Sequence, residues 1–299
     1  MAQPPPSLSM EGKTCVVTGA NRGIGRATAE GLAALGARVV LVARDGAAAE
    51  TAAGEIRDTT GNPAVEAVTA DLASQASIRR LSTTLLDRCP RLDVLVNNAG
   101  LVMRSRTMTV DGIETVFAVN HLAYFLLTNL LLDRLKASAP ARIVNVSSEA
   151  HQGHRLDFDD LQLKRGWRPI RAYSLSKLAN VMFTYELARR LAGTGVTSNC
   201  LHPGVIATKL LLDYLPLPSV TSPVTTAFAG TPARGAETPI YLAASPEVEG
   251  VTGEYFARRK PRKSTAYSHD TEAARRLWDE SARLTGLAPV LTPSLPRVD

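Results

Sequence analysis

Tyr173 and Lys177 stand four residues apart in Tyr173-Ser174-Leu175-Ser176-Lys177, a run that reads as helix. That spacing puts a phenol and an ammonium on one helical face, one turn apart. A nearby positive charge favours the phenolate, so Tyr173 is expected to ionise more easily than its reference pKa of ~10 implies. Such a tyrosine can give a proton to a reduced carbonyl, or take one from an alcohol, near neutral pH. The same pair also occurs on solvated helices, so the chemistry depends on a cofactor site elsewhere in the chain.

A candidate for that site lies near the start. The apolar run Thr14-Cys15-Val16-Val17 reads as a buried strand, and Thr18-Gly19-Ala20-Asn21-Arg22-Gly23-Ile24-Gly25 follows it. A helical stretch from Arg26 to Leu35 comes next and stops at Gly36. A strand passing through a glycine-rich turn into a helix makes an anion site, because free backbone amides and the helix dipole face the ligand. Gly19, Gly23 and Gly25 allow a tight turn and a close approach of the backbone to a pyrophosphate. The spacing is Gly-x-x-x-Gly-x-Gly, not the Gly-x-Gly-x-x-Gly of the general dinucleotide fingerprint.

The next strand, Arg38-Val39-Val40-Leu41-Val42, closes a first β-α-β unit and runs into Ala43-Arg44-Asp45. An acidic residue closing this strand would bind the free 2′-hydroxyl of NAD. Ala43 stands there instead, with Arg44 beside it. The planar fork of arginine suits a phosphate, so the expected ligand is the 2′-phosphate of NADP(H), favoured over NAD(H). Arg22, inside the glycine turn, is a second candidate clamp, while the adjacent Asp45 opposes an anion there.

Strand and helix candidates alternate along the chain. Strands are expected at 14–18, 38–42, 65–69, 92–96, 142–147, 196–201 and 253–256, and helices most clearly at 22–35, 74–88, 111–136, 172–192 and 232–243. Repeated β-α-β units of this length imply an α/β fold: a doubly wound, Rossmann-like parallel sheet of about seven strands with helices on both faces. No composition break marks a second domain. The expected organisation is a flexible N-terminus over 1–11, one domain over 12–286 and a fraying tail over 287–299. Residues 203–231 break the alternation with Pro203, Pro216, Pro218 and Pro223, and read as an irregular lid over a site. Residues 257–286 form a C-terminal extension in which Asp270 can cap a helix from Thr271 to about Leu284, with Gly286 past its end.

The 299 residues suffice for one large domain, and their apolar and charged fractions, 45% and 21%, are those of an ordinary soluble globule. The net charge of +6 permits an anionic partner without naming one. Cys15, Cys89 and Cys200 lie far apart, which argues against a disulfide framework and for a reducing, cytoplasmic setting. Met1 to Ser9 is proline-rich and lacks the layout of a signal peptide. The most apolar run, Leu122 to Leu132, is too short to span a bilayer and reads as a buried helix, so no membrane span is expected.

Further signals sit just past strand ends, where a doubly wound sheet binds its ligand. They are Asp71-Leu72, Asn97-Asn98-Ala99-Gly100, Asn120, Ser147-Ser148 and His202-Pro203-Gly204. Together with the glycine turn and Tyr173/Lys177, this ordered set resembles the short-chain dehydrogenase/reductase superfamily over about residues 12–256. Asn120-His121-Leu122, Ser147-Ser148-Glu149-Ala150-His151, Ser176-Lys177-Leu178-Ala179-Asn180 and Gly193-Thr194-Gly195-Val196-Thr197 are most similar to its retinol dehydrogenase-like branch.

The resemblance implies an oxidoreductase in which Tyr173 is the general acid/base and Lys177 lowers its pKa while holding the nicotinamide ribose. It implies that Ser148 bonds the substrate oxygen and that Asn120 helps hold a water relaying protons to Lys177. In the same family pattern the glycine turn, with Asn21, Arg22 and Ile24, cradles the cofactor. Asn98, Ala99 and Gly100 line the adenosine-side ribose, and Asp71 and Leu72 flank the adenine. Pro203, Gly204, Val205 and Thr208 hold the carboxamide and pyrophosphate side. Ser147 is the alternative to Ser148, since alternation lets only one of them point into the site; the family's pattern favours the second. The 25 residues from Ser148 to Tyr173 exceed the spacing in most of the superfamily. The retinol dehydrogenase-like branch shares such an insert, here His151 to Arg171, expected to form one wall of the substrate pocket. Many membrane-bound relatives carry an N-terminal apolar anchor; Met1 to Ser9 does not read as one, which weighs against a membrane-dissolved retinoid as substrate.

Other candidates read blandly. His151-x-x-His154 lacks a third ligand and is expected to be a pair of exposed loop histidines, with no metal bound. No Gly-x-Ser-x-Gly turn supports a hydrolase. Arg258-Arg259-Lys260-Pro261-Arg262-Lys263 follows the last expected strand and reads as a solvated face, not a nucleic-acid site. The expected partner is a small hydrophobic carbonyl or alcohol, and relatives often form homodimers through the long helices around 111–136 and 172–192. Two rivals share the pattern: a 3-oxoacyl-thioester reductase, and a non-catalytic NADP-sensing regulator. The full Asn-Ser-Tyr-Lys set argues against the regulator, which needs no proton donor.

Overall fold

Runs of β-branched and aliphatic residues form strands that are buried on both faces. β1 (Thr14–Thr18), β2 (Arg38–Ala43), β4 (Val94–Asn97) and β5 (Ala141–Val146) show almost no exposed position. Continuous burial of this kind requires a helical layer on each side of a parallel sheet. The computed structural model describes residues 8–204 and 230–287, and supplies those layers. β3 (Val65–Thr69), β6 (Val196–His202) and β7 (Tyr255–Ala257) complete the parallel set, in the order β3-β2-β1-β4-β5-β6-β7.

An eighth strand, β8 (Lys260–Pro261), pairs antiparallel with β7, so the sheet has eight strands where about seven were expected. The basic run is therefore not simply downstream of the last strand. Arg258 and Arg259 form the two-residue hairpin tip at φ +53° and +60°, and Lys260 lies in the edge strand itself.

The period-two alternation of the strands sorts side chains into two cores. Val16, Val40 and Leu95 face one layer with α3 (Gln75–Arg88), α5 (Ala123–Ala137) and α6 (Pro169–Arg190). Cys15, Val17 and Leu41 face the other, with α1 (Gly23–Ala34), α2 (Gly46–Thr60) and α7 (Pro232–Ala244). The strand order reverses between β1 and β4, and the loops leaving those strands diverge to opposite faces. That switch point opens a crevice at the carboxyl ends of the strands, where ligands of such sheets bind.

Two helices differ from their sequence outlines. The helix expected to start at 111 begins with α4 (Thr115–Phe117), because the Glu114 carboxylate caps the amides of Val116 and Phe117 at 3.1 and 2.7 Å. A π-turn, Ala118–Leu122, then joins α4 to α5. The continuous Thr115–Ala137 helix has a mean hydropathy of 1.5 over its best window, so by length and composition it could cross a membrane. The expectation of a run too short for that is corrected. Its window is 78% buried inside the protein, as a core helix would be. The C-terminal helix α8 (Thr271–Thr285) is capped by Asp270, which accepts from Ala273 N at 2.9 Å, and ends at left-handed Gly286.

Candidate active site

β1 delivers Thr18 to the crevice, and its side chain binds the glycine turn to the loop after β4. The Thr18 hydroxyl accepts from the amides of Asn98 and Ala99 at 2.9 and 3.1 Å and donates to Val96 O at 3.3 Å. Asn98 Nδ2 in turn donates to the carbonyls of Thr18 and Gly19, at 2.8 and 3.3 Å. Nothing larger than hydrogen fits between these strands of chain. A Cβ on Gly25 would collide with Gly19 O and the Asn98 amide, and one on Gly19 (φ +65°) would lie 2.8 Å from Ala99 Cα. Ile24 O accepts from the Thr28 hydroxyl at 2.8 Å inside α1.

α1 starts behind Arg22 with no side chain capping its first turn, which leaves backbone amides directed at the crevice beside half-buried Asn21. This cradle of glycines and uncapped amides fits a dinucleotide's phosphates. Arg22 and Arg44 are both exposed, Arg44 directly after β2. Asp45, which opposed an anion there, accepts from Ala48 N at 3.0 Å as the N-cap of α2. Asp71 is exposed after β3, with Oδ1 accepting from Ala73 N at 2.9 Å, and Leu72 packs against the α3–α5 core.

α6 opens with Pro169 at its first turn, where a missing N–H costs nothing, and carries Tyr173 and Lys177 toward the same crevice. Lys177 is 3% exposed, and its Nζ donates to Val146 O at 2.9 Å. The ammonium lies 5.7 Å from the Tyr173 ring centroid and 5.6 Å from that of Tyr124. Desolvation by burial lowers the Lys177 pKa from 10.5 to about 7. Tyr124 donates to Ala99 O at 2.7 Å, and burial raises its pKa well above the usual phenol value. Gly100 borders the pair, since a Cβ there would sit 3.5 Å from both Lys177 Nζ and Asn120 Oδ1.

The two serines after β5 separate cleanly. Ser147 is 1% exposed, and its hydroxyl donates to Lys177 O at 2.8 Å, so it braces α6. Ser148 is half-buried, and its Oγ accepts from Ala150 N at 3.2 Å. Asn120 is fully buried in the π-turn: Oδ1 accepts from Leu101 N at 2.8 Å, and Nδ2 donates to Leu101 O and Ser176 Oγ, both at 3.0 Å. Pro203 and Gly204 (φ +95°) follow β6 into the crevice. Val205 and Thr208 lie outside the described residues, as does nearly all of the expected lid.

With the glycine cradle and the Asn120, Ser148, Tyr173 and Lys177 cluster on one crevice, relatives can be compared. Residues 13–214 match the family model described as short chain dehydrogenase. The chain belongs to the short-chain dehydrogenase family. Human retinol dehydrogenase 14 is 48% identical over 295 residues, covering 93% of this chain and 88% of the relative. Human retinol dehydrogenase 13 is 46% identical over 301 residues, covering 98% and 91%. These place it in the retinol dehydrogenase-like branch. Among solved structures, an uncharacterised protein from Mycobacterium paratuberculosis superposes with a TM-score of 0.76 at 35% identity, over 93% of this chain and 95% of that one. The Pseudomonas aeruginosa RhlG/NADP active-site complex does so at 0.70 and 30%, over 84% and 96%.

In this short-chain dehydrogenase the long insert packs against Glu114 and α6. Trp167 Nε1 donates to Glu114 Oε1 at 3.1 Å, and Gln162 Oε1 accepts from Glu114 N at 3.1 Å. Leu156, Leu163 and Trp167 join an apolar cluster with Ala172, Leu175 and Leu178 of α6. His151 is corrected: it is fully buried, not exposed. Its Nδ1 meets Ser148 O at 2.6 Å, its Nε2 accepts from Thr265 N at 3.3 Å, and its ring packs edge-on to Tyr255. Burial lowers its pKa. Among the described residues no group of three His, Cys, Asp or Glu could hold a metal.

Sequence reasoning missed Thr18, Tyr124, Ser176 and Asn180 as site residues. Thr18 carried a signal, a hydroxyl at the strand end just before the glycine turn. Asn180 carried another, lying three residues past Lys177 and so on the same helical face.

Proposed function

We propose that this short-chain dehydrogenase is an NADP(H)-dependent enzyme interconverting a hydrophobic aldehyde or ketone with its alcohol. The observation that carries this is the Tyr173–Lys177 face of α6 packed on the end of β5, where Lys177 bonds Val146 and Ser147 just before Ser148. A bound nicotinamide would supply the hydride chemistry. Tyr173 gives its proton to the carbonyl oxygen in reduction and takes it back in oxidation. Ser148 O–H donates to that oxygen and stabilises the charge developing on it. A bound dinucleotide brings negative charge to the site, which favours the ammonium form of desolvated Lys177. Asn120 holds the turn that borders Lys177. Arg44, with Arg22, would take the 2′-phosphate, and NADP is named in the RhlG complex. The apolar insert, and the retinol named in the relatives, support a hydrophobic substrate. The burial of Thr115–Ala137 supports a core helix there, and the three free cysteines fit a reducing, cytoplasmic setting.

The test is Tyr173→Phe assayed with NADPH and a panel of carbonyls. NADPH binding should stay within about twofold while turnover falls by roughly 10²–10⁴-fold, the usual range for a general acid. A variant that binds NADPH and turns over as fast as the parent would sink the mechanism. Thioester substrates outrunning every free aldehyde in that panel would shift the substrate class to 3-oxoacyl thioesters.

A further inference from the structure

Asn180 lies on the α6 face that carries Tyr173 and Lys177, fully buried one turn beyond the lysine. Its Nδ2 donates to the main-chain carbonyl of Asn120 at 2.8 Å and reaches Val146 O, the acceptor of Lys177 Nζ, at 3.5 Å. Its Oδ1 meets His121 Nδ1 at 3.3 Å. His121 is also fully buried, and its other nitrogen, Nε2, meets Ser281 Oγ on α8 at 2.9 Å. Ser281 Oγ has a second neighbour, Leu277 O, at 2.7 Å.

Proton counting orients this chain. A carbonyl only accepts, so the Asn180 atom facing Asn120 O is the amide nitrogen, and the atom facing His121 Nδ1 is the oxygen. That oxygen also only accepts, so His121 Nδ1 must carry a proton. Burial lowers the His121 pKa from 6.5 to about 4, so the ring is neutral near pH 7 and Nε2 is bare. Nε2 therefore accepts, and the Ser281 hydroxyl turns from Leu277 O to donate to it. The opposite polarity, with Ser281 donating to Leu277 O and Nε2 protonated, sets two acceptors against each other at Nδ1. Such a buried clash is costly.

We propose that Asn180 is a positioning residue for the active site, holding the Asn120 π-turn at the end of a one-way hydrogen-bond chain, Ser281 to His121 to Asn180 to Asn120 O. A π-turn replaces the ordinary i→i−4 ladder with i→i+5 bonds, and Asn180 adds a side-chain donor to the Asn120 carbonyl inside it. The turn in turn fixes the Asn120 side chain against Leu101 and Ser176, beside Lys177. The C-terminal helix thereby becomes part of the support of the catalytic groups, through Ser281. The role in turnover rests on the oxidoreductase function proposed above; the proton positions do not.

Two measurements on the full chain test it. Nitrogen-15 NMR of the parent protein near pH 7 should show His121 protonated on Nδ1, and Asn180→Ala should move that proton to Nε2. Asn180→Asp keeps the acceptor for Nδ1–H and loses the donor to Asn120 O, so it should keep the parental tautomer. Steady-state kinetics should show kcat reduced about tenfold in both variants, with KM for NADPH within about twofold. A loss confined to folding would move the melting temperature without this split. A parent His121 protonated on Nε2 would overturn the chain, as would parental kcat in either folded variant. If the parent reduces no carbonyl, the proposed function fails, and the tautomer measurements still decide the clamp.

Discussion

Lys177 is 3% exposed with its ammonium bonded to the Val146 carbonyl, and desolvation holds its pKa at about 7 against an ordinary value of 10.5. Between those values the unfolded chain binds a proton that the folded, cofactor-free protein does not. The lysine therefore destabilises the fold fully below about pH 7, and the penalty fades as pH rises toward 10.5. Lys177→Met should melt at a higher temperature than the parent near neutral pH, with the gap closing as the buffer approaches pH 10. A gap independent of pH would show that the side chain is not desolvated in solution. Arg44 makes the opposite case, an exposed guanidinium directly after β2. Arg44→Ala should raise KM for NADPH about tenfold, the loss of one charge-assisted bond, and leave KM for NADH unchanged. Equal effects on the two cofactors would remove Arg44 from 2′-phosphate recognition. Its place was legible in the sequence because a strand end and its next residue are local features. The burial of Lys177 was not, since the carbonyl of Val146 reaches it across thirty-one positions of chain.

The glycine turn and the loop after β4 act as one element, held together by Thr18 and Asn98. A glycine-rich turn could be read from its residues, and its reason for being glycine could not. Gly25 has no room for a methyl because Asn98, brought in from a neighbouring strand, fills the space with Gly19 O. Gly25→Ala should fold with a displaced turn and weaken NADPH binding at least about tenfold. Melting with and without saturating NADPH would check it, since a ligand that binds only the native state raises the melting temperature in proportion to its affinity. A parental shift in the variant would mean that the turn can relax. The insert followed the same logic. Its length pointed to a pocket wall, but the anchoring of Trp167 and Gln162 on Glu114 depends on a helix start four positions later than the apolar pattern suggested.

At the scale of the whole molecule, α8 closes one face of the sheet through Trp278. This side chain is 6% exposed, stacked on Phe183 with centroids 5.8 Å apart and edge-on to Phe125 at 4.9 Å, with the Arg190 guanidinium 4.2 Å over its ring. Trp278→Ala should cost about 3–5 kcal/mol, typical of emptying such a site. A domain of this size would then melt roughly 10 °C lower. A change of only a degree or two by calorimetry would show that α8 is an appendage. The same helix reaches His121 through Ser281, so its docking bears on the crevice as well as on stability. The sequence by itself determined the alternation of strands and helices, the order of the glycine turn, Asn120, Ser148, Tyr173 and Lys177, and the caps of α8. All of these depend on residues close together in the chain, where period, turn chemistry and spacing act directly. Only the tertiary structure decided that Ser147 is buried and braces α6 while Ser148 is half-buried, that His151 is buried and that the apolar Thr115–Ala137 helix lies in the core. It also decided that Asn180 donates to the carbonyl of Asn120. Each of those depends on which distant segment removes water from a side chain, and no local pattern encodes that.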